Sequence, residues 1–256
     1  MARLSVIVLT LNEERNIGRC LGSVRWADEV IVVDSFSTDR TAAIARSLGA
    51  SVLQHAYDGD ILQRERGFAT ATGDWLMYVD ADEEVSGELG QEIQAQLVDA
   101  TAGPDGYLVL RKSKIFGAWT EHGGWFPDYT FRLFRNGCIV AEHAEVHGGF
   151  TVRGEKGSLR GLLYHYTYAS VEQYLNKMND YTSLAVCNKL NDDPGAHAGP
   201  AKIVLSPLSH FFRKFISNKG YKDGVHGFVL AALGAVYTLA LYAKVREYRL
   251  RKREGK

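Results

Sequence analysis

The first hundred residues alternate short apolar runs with helically spaced apolar positions, and no other feature constrains the fold as much. Strand and helix in repetition is the pattern of βαβ units around a mainly parallel sheet. Residues 4–11 read as the first strand, and Ile17, Leu21 and Val24 recur at helical spacing behind Asn12, a candidate N-cap. Residues 29–34 predict a second strand, 38–48 a helix closed by Gly49, 51–54 a third strand, 61–72 a helix ending at Gly73, and 75–79 a fourth strand. Leu89, Ile93 and Leu97 mark a helix after Ser86. From Gly106 the rhythm changes to short strand-like runs punctuated by glycine, which predicts antiparallel strands and loops flanking the sheet. Helical spacing returns over 170–190 with Tyr174, Met178 and Tyr181, and 191–200 reads as a linker. The expected division is an α/β catalytic domain over 1–191 and a helical tail over 201–256.

Charge separates these two parts. Residues 201–256 hold twelve Lys and Arg against three Asp and Glu, a net of +9, whereas the first 200 residues carry eighteen against twenty-seven, a net of −9. An acidic body with a basic, apolar tail predicts a tail resting on anionic lipid, and the tail's apolar content argues against nucleic acid as partner. Residues 224–243 are twenty residues without Asp, Glu, Lys or Arg, the length of a membrane-spanning helix, yet they include His226, Thr238, two tyrosines and three glycines. Just before them, Phe211, Phe212, Phe215 and Ile216 stand beside Arg213, Lys214 and Lys219, so 207–221 reads as an interfacial amphipathic helix. The preferred reading is a peripheral or monotopic tail with 244–256 on lipid headgroups; a true span and a helix pair packed in a homo-oligomer are the alternatives. Cys20, Cys138 and Cys187 lie far apart with no C-x-x-C spacing, which suggests a reducing compartment and neither zinc nor a disulfide framework. The N-terminal apolar run passes straight into Asn12, Glu13 and Glu14, the pattern of a strand and not of a secretory signal.

The strongest chemical signal is Trp75-Leu-Met-Tyr-Val-Asp80-Ala-Asp82-Glu83, an apolar strand that ends in three carboxylates. Ligands of open α/β sheets bind outside the carboxyl ends of strands. Hard carboxylate oxygens at Asp80 and Asp82 suit Mg²⁺ or Mn²⁺, an ion able to hold a diphosphate and neutralise its charge. The alternative is a solvated turn ahead of a helix capped by Ser86. Asp34 closes the second strand in the same way and is a candidate for ribose hydroxyls or a base, while Asp39 reads as a first-turn acid of the following helix. Thr10, Asn12 and Glu13 end the first strand at this edge and complete a candidate nucleoside pocket. Neither G-x-G-x-x-G nor a P-loop occurs, so a nucleotide must be held by side chains and metal. His147 and His165 are each either an added nitrogen ligand or, as is commoner for a lone histidine, a packed ring.

The segments Leu4 to Glu14, Val33 to Asp39 and Asp80-Ala-Asp82-Glu83 resemble the serial motifs of family 2 glycosyltransferases with the GT-A fold. The resemblance implies a mainly parallel sheet with flanking helices, nucleoside binding by Asp34 and the first-strand residues, and a diphosphate and metal motif at Asp80-x-Asp82. Arg64, followed by Gly67, Ala71 and Gly73, is similar to an Arg-Asn-x-Gly segment that contacts the nucleotide, with Glu65 in place of Asn. Trp125 to Arg135, Leu163-Tyr-His165-Tyr and Lys219 to Phe228 look like the lipopolysaccharide-core branch, WaaE/KdtX-like. In that branch Asp128 stands where an acid deprotonates the acceptor hydroxyl, though Pro127-Asp128 also has the composition of a plain turn. Arg132 and Arg135 either clamp phosphate on donor or acceptor or are solvated strand arginines. The branch carries Val-His-Glu where this chain has Val146-His147-Gly148, so Glu142 or Glu145 substitutes for that acid or it is dispensable. The implied activity is inverting, metal-dependent transfer from a nucleotide-sugar, a UDP-hexose, to a lipid-linked saccharide acceptor of the lipopolysaccharide inner core. Its implied place is the cytoplasmic face of the bacterial inner membrane. A polyprenyl-phosphate acceptor and a non-catalytic membrane adaptor are the alternatives; a sugar-nucleotide pyrophosphorylase would need a glycine- and lysine-rich loop that Leu11-Asn12-Glu13 does not offer.

Overall fold

The computed structural model describes residues 1–98, 103–142, 149–193 and 198–253. The chain divides into two compact units, 1–112 with 128–166 and 113–127 with 167–256.

The first unit holds β1 (Leu4–Thr10), α1 (Ile17–Ser23), β2 (Glu29–Asp34), α2 (Thr41–Ser47), β3 (Ser51–Gln54), α3 (Asp60–Thr70), β4 (Trp75–Asp80), β5 (Glu83–Val85) and α4 (Gly87–Gln96). The strands β6 (Gly106–Ile115), β8 (Asp128–Arg135), β9 (Ile139–Glu142), β10 (Gly149–Val152) and β11 (Lys156–Tyr168) follow, with β7 (Ala118–Trp119) falling in the second unit. The main sheet runs β3-β2-β1-β4-β8-β6-β11-β5. Its first four strands are mutually parallel, and β8 joins β4 antiparallel. This is the helix-flanked, GT-A sheet that the resemblance implies.

Because side chains alternate along a strand, β1 feeds two cores. Leu4, Val6 and Val8 pack with Ile17, Cys20 and Leu21 of α1 and Leu89 and Ile93 of α4. Ile7 points the other way, into a cluster with Ile31, Val33, Tyr78, Phe134 and Phe150 on which Ile61 and Phe68 of α3 rest. Burial on both faces explains why the first strand reads as an unbroken apolar run. Gly67 allows α3 its close approach, since a Cβ there would run into the Ile7 side chain. That glycine therefore has a packing reason of its own.

Two local expectations are corrected. Asn12 is not the cap of α1, which begins after Asn16. Instead Asn12, at φ 55°, turns the chain out of β1; its Oδ1 accepts from Thr38 N and its own N–H donates to Ser37 Oγ, both at 2.8 Å. Helix α2 starts at Thr41 and not at 38, because Ser37 is drawn back to Asp34 and Asp39 Oδ1 accepts from Thr41 N at 2.9 Å. Ser86 does cap α4, accepting from Leu89 N at 3.1 Å.

In the second unit, β7 pairs with the end of β6. Three helices follow, α5 (Val171–Asp192), α6 (Pro200–Phe212) and α7 (Gly224–Arg253), with a π turn at Arg213–Ser217 and a 3-10 turn at Gly220–Asp223 between the last two. Helix α5, which the sequence assigns to the first domain, clusters with this unit. Val186, Ala198 and Val245 form its small core beside Leu190, Ile203 and Leu241. Lys244 Nζ ties α7 to α5 through Asn179 O and Oδ1, Thr182 Oγ1 and Ser183 Oγ at 2.7–2.9 Å. The expected amphipathic helix over 207–221 is shifted: α6 starts at Pro200, carries Pro207 inside it, and yields to the π turn after Phe212. Helix α6 buries no residue. Helix α7 joins the apolar and basic runs into one element, long and apolar enough by length and composition to cross a membrane.

Candidate active site

Register puts the predicted acids on one edge. Thr10 pairs with Asp34 across β1 and β2, and Leu9 pairs with Asp80 across β1 and β4. Three neighbouring parallel strands therefore end together, with Asp34 and Asp80 about 10 Å apart at two strand spacings. That is the reach of a nucleoside.

Asp34 is fully buried and accepts from Ser37 N (3.2 Å), Ser37 Oγ and Gln54 Nε2 (2.9 Å), so it orders the loop after β2. Thr10 is buried with no partner for its hydroxyl among the described residues. The carbonyl of Glu13 accepts from Asn16 N and Ile17 N at the start of α1, and its carboxylate from Asn16 Nδ2 at 2.7 Å.

Around Asp80 the charges form a chain. Arg64 Nη2 donates to Asp80 Oδ1 at 2.6 Å, and Arg132 Nη2 lies 3.3 Å from Oδ2. Arg132 Nη2 also donates to Glu83 Oε1 at 2.6 Å, and Glu83 Oε2 accepts from Asp80 N at 3.0 Å. Arg111 reaches Glu83 Oε1 at 3.5 Å and holds Asp128 Oδ2 by Nε and Nη2 at 2.8 and 2.7 Å. Arg64 and Arg132 both lie over the Tyr78 ring, 4.6 and 4.2 Å from its centre. Burial by itself pushes Asp80 up, but Arg64 and Arg132 outweigh it and hold the carboxyl well below the usual range. At Glu83 burial wins over the attraction of Arg132, Asp80 adds repulsion, and the carboxyl is raised.

Asp82 lies beyond this chain. Its Oδ2 is 3.5 Å from His165 Nε2, and its carbonyl accepts from Tyr166 N at 2.9 Å. His165 sits opposite Glu83 in the antiparallel β5–β11 register, and its buried Nδ1 has no partner among the described residues. No group of three or more His, Cys, Asp and Glu suited to a metal occurs among the described residues. Asp82 and His165 nevertheless fit a divalent ion of the Mg²⁺ or Mn²⁺ kind, which typically takes one or two side chains and completes its shell with substrate phosphates and water. Asp80 fits less directly, because both its oxygens face guanidinium groups.

The structure thus brings together Thr10, Asn12, Glu13, Asp34, Arg64, Asp80, Asp82, Asp128 and His165 within the first unit. Arg132 belongs to the same network, but its guanidinium is buried and committed to Glu83 and Asp80, which leaves no exposed fork for a phosphate. Arg135 is not at this edge: it pairs with Trp75 at the other end of β4 and with Asp105 at 2.9 Å. His147, Glu145 and Gly148 lie outside the described residues, as does the side chain of Glu142. Sequence reasoning gave no role to Glu83, Arg111 or Tyr78. Glu83 was in view as the third acid of its run, but the Arg111–Asp128 pair arises from the β6–β8 register, which no local spacing reveals.

The sequence model of glycosyl transferase family 2 matches residues 5–152. An uncharacterized glycosyltransferase of Rickettsia typhi is 31% identical over 99% of this chain and 90% of its own length. The lipopolysaccharide core biosynthesis glycosyltransferase LpsC of Rhizobium meliloti is 28% identical over 94% of this chain and 91% of its own. Among solved structures, S. aureus TarS 1–349 in complex with UDP-GlcNAc aligns at a TM-score of 0.49 with 17% identity, covering 99% of this chain and 92% of that one. With a family match over more than half its length and a glycosyltransferase relative 31% identical across 99% of it, the chain belongs to glycosyl transferase family 2.

Proposed function

We propose that this glycosyltransferase is an inverting, metal-dependent enzyme that moves a hexose from a UDP-sugar to a lipid-linked saccharide acceptor of a lipopolysaccharide inner core. The observation that carries the proposal is the shared carboxyl edge of β1, β2 and β4, with Asp82 facing His165 and with Asp128 tied in through Arg111 and Glu83. Similarity to LpsC along nearly the whole chain supports the acceptor class. The exposed apolar side chains of α6 and the basic end of α7 support work at a membrane surface, on its cytoplasmic face.

In this reading Thr10, Asn12, Glu13 and Asp34 line the nucleoside pocket, and Arg64 places positive charge beside the diphosphate. Asp82 and His165, with Asp80 beside them, would hold a divalent ion, which would supply positive charge to a departing diphosphate. Asp128 accepts the proton of the acceptor hydroxyl while that oxygen bonds to the anomeric carbon and the bond to the diphosphate oxygen breaks. Attack from the face opposite the leaving group inverts the anomeric centre. The two hydrogen bonds from Arg111 fix the carboxylate's orientation for this task. The test is thermal stabilisation by UDP, GDP and CMP, each with Mn²⁺ and with EDTA. A shift with UDP that disappears with EDTA and in Asp82→Asn is expected; no shift with any nucleotide overturns the reading.

A further inference from the structure

The second unit contains a narrow cleft with its own chemistry, and none of its residues belongs to the carboxyl edge. His122, Trp125, His210, Lys214 and Asp223 line it, around a cavity of about 40 Å³. Asp223 Oδ2 accepts from the backbone N–H groups of Glu121 (3.1 Å) and His122 (2.9 Å), and its Oδ1 lies 2.6 Å from His122 Nδ1. Burial raises Asp223, but these hydrogen bonds outweigh it and hold the carboxyl below its usual range. An ionised carboxylate only accepts, so the ring proton sits on Nδ1, and Nε2 has no hydrogen-bond partner among the described residues. Lys214 faces the Trp125 ring at 5.9 Å and makes no ion pair with a carboxylate among the described residues. Burial, then Arg213, pulls Lys214 below the ordinary lysine range, and burial with Arg213 and Lys214 does the same to His210.

The backbone is shaped around these nitrogens. Gly124 has φ +75°, and a Cβ there would come within 3.2 Å of Lys214 Nζ and 2.7 Å of Asn218 Nδ2. Gly234 seats the other wall, since a Cβ on it would lie 2.6 Å from His210 Nε2. Two glycines, one lysine and two histidines thus frame a half-buried recess in which Asp223 already accepts from three N–H groups. The Lys214 ammonium is left without a carboxylate partner among the described residues, which an anion entering the cleft would supply. His210 and Lys214, four residues apart, face the cleft, while Leu208, Phe212 and Ile216, also four apart, are 51, 57 and 53% exposed on the same stretch of chain.

We propose that this cleft binds a phosphate group, held by Lys214 and His210, as carried by a phospholipid headgroup or by a soluble phosphate ester. The exposed apolar residues beside it favour the headgroup.

The test uses the full chain in neutral detergent with two probes, inorganic phosphate and nanodiscs of phosphatidylcholine with or without phosphatidic acid. Lys214→Met is expected to weaken binding about tenfold, the order of one lost charge-assisted contact, while Lys214→Arg and the exposed Lys252→Met stay within about threefold. Addition of phosphate should also raise the titration midpoint of His210 followed by NMR, a readout that does not depend on variant folding. A response to phosphatidic acid alone assigns the group to lipid, and a response to inorganic phosphate assigns it to a soluble ester; both support the site. Binding of neither probe, or equal losses in Lys214→Met and Lys252→Met, overturns it.

Discussion

The two compact units distribute charge and apolar surface in opposite ways. The first takes charge inside: Asp34 and Glu83 are fully buried and Arg132 nearly so, each with hydrogen-bonded partners. The second leaves apolar surface outside, with α6 burying no residue and Val204, Leu205, Leu208 and Phe212 more than half exposed. Buried charge is tolerated only while every partner is present, whereas a large exposed apolar face is unfavourable in water and calls for another phase to cover it. The first unit therefore depends on its own pairs, and the second on its surroundings.

The sharpest test of that contrast removes one buried partner. Arg132→Ala removes the 2.6 Å partner of buried Glu83, leaving it Arg111 at 3.5 Å and the Asp80 N–H, and is expected to cost about 3–5 kcal/mol in urea unfolding. Arg135→Ala breaks a pair with Asp105 whose side chains are 26 and 27% exposed, and should cost less, about 1 kcal/mol. Equal losses would mean that burial does not govern these pairs. Next in size is an effect on rate alone. Asp128→Asn keeps the shape of a side chain at the start of β8 and should lower kcat/KM by about 10²–10⁴-fold, the usual contribution of a general base, at an unchanged urea midpoint. Activity close to that of the parent protein would remove Asp128 from the mechanism.

In the second unit the expected pattern reverses. Leu205→Ser and Phe212→Ser should each weaken partition onto anionic vesicles by about tenfold or more, in keeping with about 1.5–3 kcal/mol for a large apolar side chain, and change stability by no more than about 0.5 kcal/mol. Lost stability with intact vesicle binding would place these side chains in a protein interface instead.

The first unit was legible wherever pattern is local. Burial on both faces makes β1 and β4 continuous apolar runs, and the acids that end β2 and β4 stand out against them. What could not be read is what long-range register creates. Arg111 meets Asp128 only because β6 and β8 pair antiparallel, and Arg135 falls at the wrong end of β4 for the same reason. Helical spacing starts α2 too early because Ser37 and Asp39 divert the chain through their own hydrogen bonds, a competition that such spacing does not register. In the tail, composition announced apolar helices, but the cleft around Lys214 depends on a contact between 121–122 and Asp223 about a hundred residues apart in sequence.

The smallest expected effect comes from acid, and its sign differs between two neighbouring carboxylates. Asp80 is depressed in the folded state, so its contribution to stability is present above the ordinary aspartate value of about 3.9 and is lost as pH falls through the folded value. Glu83 is raised, so its contribution is present below the ordinary glutamate value of about 4.3 and is lost as pH rises through the folded value. Urea midpoints measured across the acid range should therefore respond in opposite directions. Asp80→Asn flattens the loss of stability on the acid side, and Glu83→Gln flattens the decline on the alkaline side. If both variants flatten the same limb, the proton shared around Arg132 is not divided as the burial of Glu83 and the two guanidinium contacts of Asp80 require, and the contrast between a depressed acid and a raised one fails at its source.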